Sequence, residues 1–274
     1  MSSGFRIPDY VKYWDEFSGD YLDAARLFAD NALKIEQKYG TPDHISKVNM
    51  SATAEQIVYV TSSFFSVNAC LSASIDEVFR EADALNRHIK PQSFLSHLSP
   101  KVIKDMADAR NAKVIKPSNY PDLDLVLQYS DNTPYWKLYP LDKFQLALYL
   151  SDLNKEGKPF DFGDDVWKDV EFLHLLRNYL VHYEPEWVEY RFSNGSYYAK
   201  QKTVDVMDGL QIRGFRSGLY PKHAEFHEGS IRVRLGADCA AWAVEATSDF
   251  LYAFYEKMPI DDRKMWLYHR RVPF

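Results

Sequence analysis

Residues 171–183 bring together side chains that could do acid–base chemistry on a phosphate ester. If the segment is a helix, with about 100° of rotation per residue, one face carries four polar side chains: His174, Arg177, Asn178 and His182. A core-facing stripe on the opposite face consists of Phe172, Leu175, Leu176, Tyr179 and Leu180. The polar face has neither a lysine nor a carboxylate, so it differs from an ordinary solvated surface.

This set of side chains suits the cleavage of an RNA phosphodiester without a metal ion or a cofactor. Arg177 can hold a phosphate through two hydrogen bonds and stabilise the charge of the transition state. A histidine of near-neutral pKa can take a proton from a ribose 2′-hydroxyl or give one to the leaving oxygen. His182 falls in the last turn of the predicted helix, where the helix dipole favours the protonated ring. An acid role is therefore expected for His182.

The same spacing has a structural alternative. Arginine and histidine at this separation on a helix occur by chance in many chains of this size. In that case Arg177 is a surface charge and His182 ends the helix. A further alternative is a non-catalytic interaction or regulatory module, in which these side chains would stabilise the bundle or contact a partner protein. Burial of these side chains within a single subunit would favour such a module.

Helices are predicted on both sides of this segment. Apolar residues recur at helical spacing in residues 9–39, 54–88, 99–111, 141–153, 166–182 and 237–258. Asp9 is the expected N-cap of the first helix, and Thr53 with Gln56 forms a capping box at the start of the second. Asp164 or Asp165 caps the helix that carries the polar face. Residues 116–140 contain four prolines and are expected to form a loop.

The spacing of apolar residues changes to two after residue 186. Residues 187–192 and 197–206 are predicted strands joined by a turn at Asn194-Gly195, and residues 231–235 are a further strand. On that last strand Arg232 and Arg234 share a face, which makes them weak candidates for RNA binding. The predicted fold class is mainly α, a helical bundle with a small antiparallel β insert before the last helix.

Composition and charge limit the functions that are open to the chain. Its 274 residues are 46% hydrophobic and 26% charged, which excludes a wholly disordered protein. The net charge of -6 excludes a protein that binds nucleic acid through overall positive charge. A ribonuclease with this composition therefore needs a local basic cleft.

Cysteine usage and hydropathy bear on location. Cys70 and Cys239 lie in apolar helical stretches and are expected to be buried, unreactive thiols. Residues 56–75 carry no charge over nearly the length of a membrane span, but serine, threonine and asparagine interrupt them. A buried helix is the better interpretation. The N-terminal residues lack the basic and apolar regions of a signal peptide, and a cytoplasmic location is expected.

The polar segment and its flanks resemble the HEPN superfamily (higher eukaryotes and prokaryotes nucleotide-binding domains). Arg177-Asn178, then three residues and His182, is similar to the Arg-[polar]-x-x-x-His signature of that superfamily. The flanking phrases are similar to those of uncharacterised bacterial HEPN-like proteins, and they are Pro140-Leu-Asp-Lys, Gly157-Lys-Pro-Phe-Asp and Leu175 to Pro185. The resemblance covers residues 54–90, 140–186 and 237–258.

The resemblance implies a bundle of four or five helices that pairs as a symmetric homodimer. Many members are metal-independent ribonucleases, often toxins or effectors of antiviral defence, in which arginines and histidines of both subunits meet in one cleft. By position, Arg177, Asn178 and His182 are the catalytic residues. His174 has no role in the family, and only its place on the helix makes it a weak RNA-binding candidate. An RNA substrate and an antitoxin or defence-system partner follow from the same resemblance.

The resemblance also suggests a layout for the chain. Residues 1–274 are predicted to form one elaborated HEPN-like domain, which has four parts. These are an N-terminal helical extension (1–53), a bundle with the motif helix (54–186), the β insert (187–236) and a C-terminal helix with a tail (237–274).

Overall fold

Helices make up most of the part of the chain that the structure describes. The computed structural model describes residues 17–40, 49–89, 93–112, 134–152, 159–182, 189–191, 196–220 and 230–258. These residues include α1 (Ser18–Tyr39), α2 (Met50–Asn86), α3 (Pro100–Asn111), α4 (Pro140–Asp152), α5 (Asp165–Val181), α6 (Gln201–Ile212) and α7 (Ala237–Lys257). Strands β1 (Glu189–Arg191) and β2 (Ser196–Tyr198) pair antiparallel, with Arg191 opposite Ser196. The prediction of a mainly α chain is confirmed.

The long helix α2 is the main packing partner of the other helices. It contacts α1, α3, α4, α5 and α7, and its apolar side chains Val60, Phe64, Val67, Ile75 and Phe79 are fully buried. Among the described helices, α2 alone is long and apolar enough to cross a membrane by length and composition. Neighbouring helices cover one face of α2, whereas Met50, Val58 and Phe65 are exposed. A single helix of this kind is consistent with a soluble protein.

The start of α2 differs from the prediction. The helix begins at Met50, and its N-cap is Asn49, whose side chain accepts a hydrogen bond from the backbone N–H of Ala52 at 3.1 Å. Thr53, the predicted cap, lies inside the first turn and donates its hydroxyl to the carbonyl of Asn49 at 2.9 Å. Both residues can cap a helix, and Asn49 does so because its backbone is extended. The predicted cap Asp9 and residues 9–16 lie outside the described residues.

The predicted β insert is wrong in most of its described extent. Only residues 189–191 and 196–198 are strands, and Gln201–Ile212 forms α6. Helical spacing explains this, because the residues of α6 that are buried are Thr203, Val206, Met207 and Leu210. The predicted strand at 231–235 is a 3-10 turn, Ile231–Val233, and the hairpin turn at 194–195 lies outside the described residues.

Both cysteines are part of the interior. Cys70 of α2 and Cys239 of α7 have no exposed surface and form no disulfide. Burial raises the pKa of the Cys70 thiol to about 12 and raises the pKa of Cys239 well above its usual range. Both thiols therefore stay protonated and unreactive near neutral pH, as the sequence predicts.

Candidate active site

The helix α5 positions the predicted catalytic side chains. It starts after the N-cap Asp164 and ends at Val181, and the backbone N–H of His182 donates to the carbonyl of Asn178 at 3.1 Å. One side of α5 is fixed in the core by Trp167, Val170, Leu173 and Leu176, none of which has exposed surface. The polar side chains on the other side are therefore held on a rigid element.

A cleft of about 640 Å³ opens on that polar side. It is lined by His174, Arg177 and Asn178 of α5 and by its C-cap His182, the four side chains that the sequence singles out. The opposite walls come from α2, from the start of α4 with the residue before it, and from α6, and they consist of Phe65, Asn68, Ala69, Ser72, Tyr139, Pro140 and Lys202. Among the described residues the lining carries the cations Arg177 and Lys202 and no carboxylate, so this part of the cleft is basic. A ribonuclease of net negative charge requires such a local basic surface.

Arg177 keeps most of its hydrogen-bonding capacity. Its guanidinium is half-buried and donates one bond, from Nη1 to the Oδ1 of Asn178 at 2.9 Å. Within the described residues it forms no salt bridge with a carboxylate. A guanidinium has five N–H donors, so those that remain can bind an anion in the cleft. Asn178 orients the arginine and supplies its own amide to the same surface.

The two histidines of the cleft have different surroundings. His182 is exposed and forms the C-terminal cap of α5. His174 is half-buried, and its Nε2 is shielded from solvent without a hydrogen-bond partner among the described residues. Burial, and next the nearby charge of Arg177, lower the pKa of His174. His174 is therefore neutral near pH 7, and its ring meets Tyr139 edge-on with centroids 5.6 Å apart.

Lys202 is the charged side chain of the cleft that sequence reasoning missed. It lies in the first turn of α6, and its Nζ donates to the carbonyl of Asn178 at 3.2 Å. The close approach of α6 to α5 requires Gly209, because a Cβ at that position would collide with the ring of Phe172. The sequence placed Lys202 on a strand, so its position at the end of α5 could not be inferred.

The polar residues of α2 at the cleft were also missed. Asn68 donates to the carbonyl of Phe64 at 2.9 Å, and the hydroxyl of Ser72 donates to the carbonyl of Asn68 at 3.0 Å. These bonds satisfy the polar groups along the helix itself, so α2 presents a surface of small polar side chains to the cleft. The only signal in the sequence is the run of serine and asparagine in an otherwise apolar helix.

Arg232 and Arg234, the weak RNA-binding candidates, do not line this cleft. Arg234 is buried and donates from Nη1 to the carbonyl of Phe215 at 3.4 Å, and Arg232 is exposed. They do not share a strand face, because this segment is a 3-10 turn. Arg234 therefore contacts the interior of the protein and is not available at the surface, where RNA binding would require it.

A second cavity of about 390 Å³ adjoins the cleft. The two share Tyr139, His174 and Asn178, and the second extends along α5 towards its N-terminus. Its remaining lining is Leu141, Lys168, Glu171, Phe172 and Leu175. The polar surface of α5 therefore continues into a more apolar recess.

No protein-family model, curated protein or solved structure matches this chain. The resemblance to the HEPN superfamily therefore rests on the motif of α5 and the phrases that flank it.

Proposed function

We propose that the chain is a HEPN-like endoribonuclease that cleaves RNA without a metal ion and acts as a toxin or an antiviral defence effector. The observation that carries the proposal is the cleft on α5, where Arg177, Asn178 and His182 line one surface together with Lys202. In the part of the lining that the structure describes, two cations and an exposed imidazole without a carboxylate suit a phosphate diester. The toxin or defence role follows from the resemblance.

The reaction is an attack of the ribose 2′-hydroxyl on the adjacent phosphorus. A base removes the 2′-hydroxyl proton, the new O2′–P bond forms, and the P–O5′ bond breaks while the leaving oxygen takes a proton from an acid. The products are a 2′,3′-cyclic phosphate and a 5′-hydroxyl. Arg177 binds the non-bridging phosphate oxygens and stabilises their charge in the transition state. Asn178 holds the guanidinium in place through the bond to its Oδ1.

His182 is the proton-transfer residue of this scheme. Its ring is exposed at the cleft at the end of α5, where a bound RNA can reach it. This position suits the acid that protonates the leaving oxygen. In a symmetric homodimer, the same histidine of a second copy would supply the base, as the resemblance implies.

Two features of the site favour an enzyme over a non-catalytic module. A module in which these residues stabilise the bundle would bury them, whereas His182 is exposed and Arg177 is half-buried at an open cleft. The cleft also has the size of a site for a small ligand or a nucleotide, within the usual range of about 300–1,000 Å³. Partly exposed rings of Phe65 and Tyr139 stand at its edge and can stack on bases.

The test is cleavage of a labelled single-stranded RNA in excess EDTA by the wild-type chain and by Arg177→Ala and His182→Ala. We expect the wild type to leave cyclic phosphate ends, and each variant to lose about 10²-fold or more in rate. His97→Ala is the matched control, because His97 is also exposed and does not line the cleft. Activity that survives His182→Ala, or that requires a divalent metal ion, would refute the mechanism.

A further inference from the structure

The second cavity has the lining of a site for a flat, partly apolar group. Its walls are the side chains of Leu141, Phe172 and Leu175, and the polar side chains Lys168 and Glu171 complete the lining. Small-ligand sites are mostly apolar and carry a few polar groups that fix orientation. A nucleobase matches this surface, because its faces are apolar and its edges carry hydrogen-bond donors and acceptors.

The cavity adjoins the cleft. Both are lined by Tyr139, His174 and Asn178, so a nucleotide whose phosphate lies beside Arg177 has the second space next to it. In single-stranded RNA the base projects away from the backbone and can be splayed into a neighbouring recess. The cleft therefore suits the phosphate of a nucleotide, and the second cavity suits its base.

Tyr139 stands at the boundary between the two spaces. Its side chain is 46% exposed, and its carbonyl accepts the backbone N–H of Lys143 at 3.1 Å, which ties it to the first turn of α4. The edge-on contact with His174, with centroids 5.6 Å apart, keeps the ring beside the shared lining. An aromatic ring that is held in place and partly exposed is a platform for stacking.

We propose that the second cavity binds one nucleobase of the RNA next to the phosphate in the cleft, with the ring of Tyr139 stacking on it. This inference rests on the proposed function, since it takes RNA as the ligand. Stacking on an aromatic ring tolerates every base, so the cavity contributes affinity for RNA and positions the phosphate beside Arg177.

The experiment measures equilibrium binding of three short 2′-O-methyl RNAs, which cannot be cleaved through the 2′-oxygen. One carries all its bases, and the other two are abasic at the nucleotide on the 5′ side or on the 3′ side of the central phosphate. Tyr139→Ala is expected to weaken binding of the complete RNA by about tenfold or more. The same variant should bind one of the abasic RNAs as well as the wild type does, and Tyr139→Phe should keep wild-type affinity for all of them.

Trp136→Ala is the matched control, because Trp136 is a nearby aromatic residue, 64% exposed, that lines neither space. Equal losses of affinity for complete and abasic RNAs in Tyr139→Ala, or no loss for either, would overturn the inference. Absence of RNA binding by the wild type would also overturn it. Because these RNAs are not cleaved, the binding assay is independent of the cleavage assay. A loss of affinity that depends on the base supports base binding in the second cavity even if no cleavage is found. Cleavage without such a loss supports the ribonuclease function and not the base site.

Discussion

Arg177 and His174 influence each other because both lie on α5 at the same cleft. The guanidinium keeps donors for a phosphate, and its positive charge acts on an imidazole that is already half-buried. A protonated His174 would add a cation beside Arg177 and Lys202 and would place an unpaired N–H at Nε2, which is shielded from solvent. The arrangement therefore keeps His174 neutral and leaves His182 as the more accessible imidazole.

The neutral state of His174 predicts a pH dependence of stability. Because burial and Arg177 lower its pKa, the folded chain binds this proton less readily than the unfolded chain does. The stability from neutral His174 is fully present above pH 6.5, the ordinary value, and is lost as the pH falls through the lowered pKa of the folded state. In His174→Asn, the free energy of unfolding should therefore fall less steeply than in the wild type as the pH is lowered from 6.5.

Urea unfolding at a series of pH values checks this prediction. His97→Asn is the control for loss of an exposed imidazole elsewhere. Parallel stability curves for the wild type and His174→Asn would show that the proton on His174 does not matter to folding.

The residues of the site that could be predicted are those on one helix. His174, Arg177, Asn178 and His182 share a face by periodicity alone, so the sequence is enough to group them. Residues from other elements, such as Lys202, reach the cleft only through tertiary packing, which local spacing does not encode. The start of α2 could not be predicted from sequence either. Asn49 and Thr53 are both good N-cap residues, and only the backbone conformation distinguishes them.

At the scale of elements, helix α6 replaces most of the predicted strand at residues 197–206, and it also supplies Lys202 to the cleft. The predicted strand stopped at residue 206, which cut the helical stripe of Thr203, Val206, Met207 and Leu210 in half. The full stripe has the spacing of a helix face. With α6 as a helix next to α5, Lys202 reaches the carbonyl of Asn178 and adds its charge to that of Arg177.

Lys202 is expected to contact an RNA phosphate. Replacing it in Lys202→Gln should weaken RNA binding and reduce the salt dependence, with the slope of log K against log salt falling in magnitude by about 0.7–1. Titrations of a single-stranded RNA at several salt concentrations measure this slope. Lys101→Gln on the exposed side of α3 is the control. If both variants keep the wild-type slope, Lys202 does not contact the RNA backbone.

At the scale of the whole molecule, one carboxylate connects segments that are far apart in the sequence. The Oε1 of Glu36, near the end of α1, accepts the backbone N–H groups of Gly218 and Ala237, each at 3.0 Å, and also the side-chain amide of Gln56. Gln56 in turn accepts the hydroxyl of Ser217 at 2.5 Å. These bonds join α1, the first turns of α2 and the start of α7 at a common point, and α2 and α7 are two of the helices that pack against α5.

Removing this carboxylate should destabilise the entire fold. Glu36→Ala leaves two backbone donors and one amide without their acceptor, which is expected to lower the free energy of unfolding by roughly 3 kcal/mol or more. Glu36→Gln keeps an acceptor oxygen without charge. Because burial raises the pKa of Glu36, ionisation costs the folded wild type stability as the pH rises above 4.5, and Glu36→Gln avoids that loss.

Urea unfolding at pH 4 and pH 7 tests both variants, with exposed Glu55→Ala as the control. A loss for Glu36→Ala no larger than that for Glu55→Ala would mean that the network does not hold the helices together. A stability of Glu36→Gln that does not improve relative to the wild type from pH 4 to pH 7 would contradict the effect of burial on the carboxylate.

The proposed homodimer makes a prediction that concerns two copies of the chain. If arginines and histidines of both subunits meet in one cleft, a heterodimer of Arg177→Ala and His182→Ala contains one intact arginine and one intact histidine in the shared site. Each variant alone lacks one of the two groups entirely. Mixing the two inactive proteins under conditions of subunit exchange should therefore restore part of the RNA cleavage in EDTA. The rate should stay below that of the wild type, because the heterodimer has only one of the two His182 side chains that transfer protons.

The recovered rate should rise as the second variant is titrated in, and then fall when it is in excess, because the heterodimer is most abundant near equal amounts. Mixing Arg177→Ala with His97→Ala, which keeps both groups, controls for the effect of exchange itself. If the two inactive variants stay inactive together while both remain folded and exchange subunits, each cleft works within one chain. The net charge of -6 would then be offset at the site only by Arg177 and Lys202 of that chain, without a second set from a partner.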